Sequence, residues 1–293
     1  QPVQPRPNPS AQRPVPSHAP PSTIPTMPTI HPTAIIDPKA TIADDATVGP
    51  YCIIQGPVTL HAGVNLIAQC HITGPVTIGE RTRVYPFAAI GFEPQDYKFG
   101  PDSITAGVTI GQECLIREYA SVHAASNDHT PTRIGNRVFM MTGSHVGHDG
   151  NVGDDVVMVS GALLGGHVTI EHKAVLGGGC LVHQHCRVGR YAMLSGSVGI
   201  SADLPPYCLA NAGNRIGSAN VVALKRNGFD KADIDAIRKV ISTVLRKNLP
   251  KDEVLERLSA AAETSEPVGH MRDFIANATR AICSGPDRRT RGT

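Results

Sequence analysis

From Ile134 to Ile200 every sixth residue is aliphatic or methionine, by way of Met140, Val146, Val152, Met158, Leu164, Ile170, Leu176, Val182, Val188 and Leu194. The same comb runs unbroken from Ile30 to Ile90 and returns at Ile110, Ile116 and Val122. An amphipathic helix would repeat about every 3.6 residues and a half-buried strand about every two. Period six specifies a parallel β-helix of hexapeptide repeats, whose short strands bury their inward residue only when coils stack on one another. Three repeats make one coil, so residues eighteen apart lie one above the other.

A second register supports this reading. Four places after each comb residue stands a small or β-branched one, among them Cys52, Cys70, Ala120, Ala162, Ala174, Cys180 and Ala192. One large and one small inward residue per side fill a narrow triangular interior. Glycine often follows the comb residue, at 49, 79, 91, 111, 135, 147, 153, 165, 177 and 189, which predicts a permissive corner backbone there. Five of the seven cysteines fall in the small register, so they read as buried hydrophobes in a reducing compartment. No CxxC pair or zinc-type spacing opposes this.

A net charge of +2 with 18% charged residues gives no field aimed at nucleic acid or a membrane surface. Aromatics at 4% and no tryptophan argue against a base-stacking platform. No apolar run is long enough for a membrane span. Residues 1–29 hold ten prolines and few aliphatic side chains, which predicts a disordered tail without a secretory signal; a polyproline segment for a partner is the other reading. The β-helix is expected over 30–207, with loop insertions at about 91–109 and 123–133. The first insertion carries Asp96 and Lys98, which a turn does not need, so it reads as a binding loop. Leu204-Pro205-Pro206-Tyr207 cannot continue a stacked strand. Residues 208–285 then predict a C-terminal helical domain of three helices. Asp230 caps one carrying Ile234, Ile237, Ile241, Val244 and Leu245, Pro250 opens a second, and Pro267 opens a third reaching Ile282. Residues 286–293 read as a frayed basic end.

Six of thirteen histidines fall between 145 and 185. One coil above His148 are Gly166 and His167, and one further are His183, Gln184 and His185. These groups are expected to stack along one edge at about 4.8 Å per coil, with rings outward. Histidine is the side chain best matched to proton transfer near neutral pH, and Asp149 stands ready to orient His148. There is no Gly-x-Ser-x-Gly elbow and no reactive-looking cysteine. That favours direct attack by a substrate hydroxyl or amine, with His as base. A rival is zinc held by imidazoles of a trimeric β-helix, a carbonic-anhydrase-like site. A third reading is a binding solenoid without catalysis.

Several motifs then combine: Gln95-Asp96-Tyr97-Lys98, Ile116-Arg117-Glu118, Ser144-His145-Val146-Gly147-His148-Asp149, Val182-His183-Gln184, Asp203-Leu204-Pro205-Pro206-Tyr207 and Leu224-Lys225-Arg226-Asn227-Gly228-Phe229. With them, about Ile30 to Ser284 resembles the UDP-N-acetylglucosamine O-acyltransferase family, which opens lipid A synthesis. The resemblance implies a left-handed β-helix with a C-terminal α-helical domain, a cytoplasmic homotrimer with sites between subunits, and no cofactor or metal. It implies that His148 takes the proton of the glucosamine 3-hydroxyl of UDP-N-acetylglucosamine. That oxygen would attack the thioester of a (3R)-hydroxyacyl chain on acyl carrier protein, with no covalent enzyme intermediate. Asp149 would assist, and the Gly166 N–H would hold the oxyanion. Gln95, Asp96, Lys98, His145, His167, His183 and Gln184 would line the sugar and acyl sites. Asn220 and Arg226 would reach the nucleotide phosphates. Gly196 falls where the family limits acyl length, and a glycine leaves room for a long chain. Val222 replaces the family's usual acid, Asn227 its second arginine and Arg215 a common histidine, all at the nucleotide end. Another nucleotide sugar or an amine acceptor therefore stays open as the alternative.

Overall fold

The computed structural model describes residues 27–285. The tail expected at 1–29, apart from its last three residues, and the frayed end expected at 286–293 lie outside them. The comb produces a left-handed parallel β-helix of about ten turns. Its strands are mostly two residues long and fall into three sheets, the faces of a triangular prism. The first face begins at Thr29–Ile30, the second at Ile35–Ile36 and the third at Thr41–Ile42. Pairing joins residues one coil apart, as in His145↔Leu163 and Leu163↔Leu181, so the eighteen-residue arithmetic holds.

From Ala46 onward both inward registers are buried as expected, while Ile30 in the first coil stays exposed. Leu66, Ile72, Met140, Met158, Leu164 and Leu176 fill the large positions, and Ala120, Ala162, Cys180 and Cys186 the small ones, all at 0% exposure. Each large side chain so buried stabilises the stack by about 1.5–3 kcal/mol. All seven cysteines are free and buried.

The corner chemistry differs from the expectation. Of the ten glycines that follow the comb, only Gly91 is left-handed. The left-handed residue comes three places after the comb and usually carries a side chain, as at Tyr51, Asp149, His167, Lys173 and His185. The glycines serve close approach instead: a Cβ on Gly49 would lie 1.8 Å from the Ile67 carbonyl oxygen in the next coil.

The C-terminal part also differs. Pro205 and Pro206 sit in a corner, which leaves Leu204 free to bridge to Val188. Cys208–Ala212 then extends the first face along Met193–Leu194 and turns back as a hairpin with Arg215–Ala219. Four helices follow among the described residues: α1 (Val221–Arg226), α2 (Lys231–Thr243), α3 (Lys251–Ala262) and α4 (Glu266–Ala276). Asp230 caps α2 by accepting from the Asp233 N–H, and Pro250 and Pro267 stand at the starts of α3 and α4. Leu245 lies in a 3₁₀ turn after α2. Ile282 is not helical; it bridges to Asp203 and ties the chain end back to the solenoid. No described helix is long and apolar enough to cross a membrane.

Candidate active site

His148 leaves the second face after His145–Val146 and precedes the third-face strand Asn151–Val152, so it lies on the edge between those faces. Its Nδ1 is 2.7 Å from Asp149 Oδ2. Asp149 is a left-handed corner residue (φ 59°), which turns its side chain back beside the preceding imidazole. Ser126 N–H (3.0 Å) and Asn127 Nδ2 (2.8 Å) donate to Oδ1, and Ser126 Oγ (2.6 Å) donates to Oδ2. The Asp149 N–H in turn donates to Thr132 Oγ1 at 2.8 Å. Burial alone would raise the Asp149 pKa, but the bonds from His148 and Ser126 outweigh it and hold the carboxyl below its ordinary value. An ionised, anchored Asp149 engages His148 through Nδ1, which leaves Nε2 as the ring nitrogen without a partner among the described residues.

The coils above complete the edge. His167 N–H donates to the His148 carbonyl and His185 N–H to the Gly166 carbonyl, both at 2.9 Å. His167 Nε2 lies 3.4 Å from Asp149 Oδ2. Its ring stands perpendicular to His148, centroids 5.0 Å apart, and stacks on His185 at 4.5 Å. Burial lowers its pKa, against the pull of Asp149. Gly166 faces the base: a Cβ there would fall 2.6 Å from His148 Nε2. Among the described residues no acceptor partners the Gly166 N–H.

His145 lies on the second face, 2.9 Å from Ser121 Oγ, and burial with the neighbouring His123 pushes its pKa down to about 4. The first insertion folds onto this face through His123 Nδ1 and the Glu93 carbonyl, 2.6 Å apart. It encloses an open cavity of about 610 Å³ lined by Gln95, Asp96, Tyr97 and His123 among others. The Lys98 N–H, 3.1 Å from Oδ1, does most to hold Asp96 below its ordinary pKa. Lys98 is exposed and pairs with Asp96 at 3.4 Å. A second groove of about 430 Å³, lined by His145, Leu163, Leu181 and His183, runs along the same face. Gln184 is exposed on the His148 edge.

Asn220, Arg226 and Gly196 lie elsewhere. Asn220 is 5% exposed; its Oδ1 caps α1 and its Nδ2 donates to the Tyr191 carbonyl, so it positions α1. Arg226 ends α1, at the corner between the third and first faces. Gly196 is exposed at the corner between the first and second faces, where a Cβ would meet Gly178 O at 3.3 Å.

Sequence reasoning missed Ser121, His123, Ser126, Asn127 and Thr132. Ser121 pairs with His145 in the next coil, but the second insertion makes them 24 residues apart, so the eighteen-residue arithmetic passes over it. His148, Asp149 and His167 place three ligand atoms within 4.8 Å of one another, a set able to hold a divalent ion. With Nδ1 tied to Asp149, the same set can instead act as a general base beside an open N–H donor.

A family model described as UDP N-acetylglucosamine O-acyltransferase, domain 2, matches residues 203–283. The chain is 39% identical over 207 residues to the acyl-[acyl-carrier-protein]–UDP-N-acetylglucosamine O-acyltransferase of Campylobacter lari, covering 70% of this chain and 77% of that one. It is 36% identical to the Syntrophobacter fumaroxidans protein of the same description over 257 residues, 86% and 98% of the two chains. The crystal structure of UDP-N-acetylglucosamine O-acyltransferase from Moraxella catarrhalis superposes with a TM-score of 0.82 at 34% identity, over 87% of this chain and 99% of that one.

Proposed function

Because this chain belongs to the family of acyl-[acyl-carrier-protein]–UDP-N-acetylglucosamine O-acyltransferases, we propose that its His148 site performs that reaction by general-base catalysis, as an early cytoplasmic step of lipid A synthesis. The chain is an acyltransferase. Its donor is a (3R)-hydroxyacyl thioester on acyl carrier protein, and its acceptor is the glucosamine 3-hydroxyl of UDP-N-acetylglucosamine. The observation that carries this reading is the pairing of His148 Nδ1 with Asp149 at 2.7 Å while Nε2 faces the bare Gly166. His148 Nε2 takes the hydroxyl proton as the oxygen adds to the thioester carbonyl carbon. The Gly166 N–H receives the oxyanion. Collapse breaks the carbon–sulfur bond, and the leaving thiolate takes the proton back from His148, so no covalent enzyme intermediate forms.

The active unit is a homotrimer. Outward residues of the third face are polar, Thr109, Arg133, Asn151 and Thr169 among them. The first face presents Leu115, Phe139, Val157, Val175 and Met193, and the second presents Leu163 and Leu181. Exposed Tyr51, Phe87 and Tyr119 mark the edge these two faces share. Two unlike apolar faces fit heterologous, ring-closing association. Three prisms meeting near that edge leave a wedge between the second face of one copy and the first face of the next. His148 of one copy then faces Arg226 of its neighbour, so Arg226 serves the nucleotide while Gln95, Asp96, Lys98, His145, His167, His183 and Gln184 serve sugar and acyl chain. Gly196 lies at the inner end of the wedge and admits a long acyl chain.

The test is thioester consumption with hydroxyacyl carrier proteins of several chain lengths and UDP-N-acetylglucosamine, comparing native protein with His148→Ala and measuring bound metal. Turnover by metal-free native protein that collapses in the variant is expected. Turnover that survives in the variant, or that needs stoichiometric zinc, would overturn the base assignment.

A further inference from the structure

Lys173 lies at the corner between the third and first faces, after the strand Thr169–Ile170 and before Val175–Leu176. Its backbone is left-handed (φ 57°), and its N–H donates to the Asp154 carbonyl at 2.9 Å. Its ammonium donates to Asn227 Oδ1 at 2.9 Å and lies 5.5 Å from the centroid of the Tyr191 ring. Asn227 is held in turn: its Nδ2 donates to the Ala223 carbonyl at 2.9 Å, which aims Oδ1 at Lys173.

Among the described residues no carboxylate pairs with this cation. Asp155, whose acidity feels the Lys173 charge, is committed to Arg137 through bonds of 2.7 and 2.9 Å. The hydrogen-bond partner of the Lys173 side chain among those residues is the neutral Asn227 amide. An ammonium has three donors, so a full charge and two N–H groups remain for a ligand. The next residue back from Asn227 is Arg226, a second cation carried on a different element. A diphosphate, with charge spread over two phosphoryl groups, is the chemistry that two such cations recognise.

We infer that Lys173, oriented by Asn227, binds the diphosphate of the nucleotide sugar together with Arg226. This rests on the reading that the α1 corner is the nucleotide end of the site. It also gives Asn227 a role: its neutral amide, at the C-cap of α1, holds a lysine from the solenoid.

The test measures KM for UDP-N-acetylglucosamine in the acyl-transfer assay and the affinity for UDP alone by titration calorimetry. Lys173→Ala and Lys173→Gln are each expected to raise KM and weaken UDP binding by about tenfold or more, the worth of one charged hydrogen bond. Their kcat and KM for the acyl carrier should stay within about twofold. Lys173→Gln keeps a side chain able to bond Asn227, so its loss would report charge and not shape. Adding Asn227→Arg to Lys173→Ala should recover most of the affinity. Unchanged KM and UDP affinity in both single variants would overturn the inference while leaving the acyltransferase reading intact. Native protein that neither turns over nor binds UDP would overturn both.

Discussion

A Cβ placed on Gly166 would stand 2.6 Å from His148 Nε2, well inside van der Waals contact. The backbone just before His167 thus stays bare against the one ring nitrogen not held by Asp149. Gly166 is not among the left-handed positions, so alanine fits its backbone and only the space is lost. Gly166→Ala is therefore expected to fold normally and to lose about 100-fold or more in kcat, because the methyl displaces the base and the reacting oxygen. Thermal unfolding alongside thioester kinetics checks this. Near-native turnover in a folded variant would mean the reaction does not pass between these residues.

Asp149 is fixed by donors from the second insertion, so its effect on His148 should divide between charge and placement. Asp149→Asn removes the charge and can reverse the tautomer; a fall in kcat of about 10² to 10⁴ is expected, by analogy with other base–carboxylate pairs. Ser126→Ala leaves the charge and removes one bond, so a smaller loss is expected. Equal losses in the two variants would show that placement alone matters.

The wedge between copies depends on the second face. Leu181 is 51% exposed in the single chain, in line with Leu163. Leu181→Glu puts a charge into a surface that association would desolvate. It should shift the protein from trimer to monomer in light scattering after size exclusion and abolish turnover. A monomeric native protein, or a trimeric and active variant, would remove the trimer from the mechanism.

How far the sequence carried the fold depends on which interaction sets each part. The comb is a direct record of stacking, because each inward side chain meets its copy one coil away. Leu164 or Cys180 therefore reveals its place from spacing alone. His148, Gly166 and His167 were legible for the same reason. Ser126 and Asn127 were not, since a loop departs from the period just where it reaches Asp149. The hairpin at Cys208–Ala212 was hidden because the two prolines before it read as a stop, whereas they turn a corner and the strand resumes.

A buried ion pair helps to join the solenoid to its helical cap. Arg187 Nε and N–H both donate to Asp203, which is 1% exposed, at 2.8 Å; Arg187 Nη2 donates to the Phe274 carbonyl at 2.8 Å and its guanidinium lies 4.1 Å from the Phe274 ring centroid. Asp203→Ala strands a partly buried cation, so a loss of about 3–5 kcal/mol is expected. Urea unfolding measures it. A loss below about 1 kcal/mol would mean this pair adds little to holding the cap.

His145 supplies a pH signature. Its folded pKa is about 4, pushed down from 6.5 chiefly by burial and then by His123. The native state thus holds the ring neutral while the unfolded chain takes up a proton. That contribution is fully present above pH 6.5, is lost progressively as pH falls from 6.5 to about 4, and is constant below. Its size is at most about 3 kcal/mol, less what partial exposure removes. His145→Gln cannot titrate, so its stability should fall less over this interval than that of native protein. His71, His167 and His172 are also shifted down and contribute the same sign in both proteins, so the difference between the two curves isolates His145. Urea midpoints at several pH values between about 7 and 4 provide the comparison. Parallel curves would show that His145 is solvated and free to charge. Converging curves would place a permanently neutral imidazole on the second face at working pH, able to direct a hydrogen bond and unable to compete with His148 for the proton in transit.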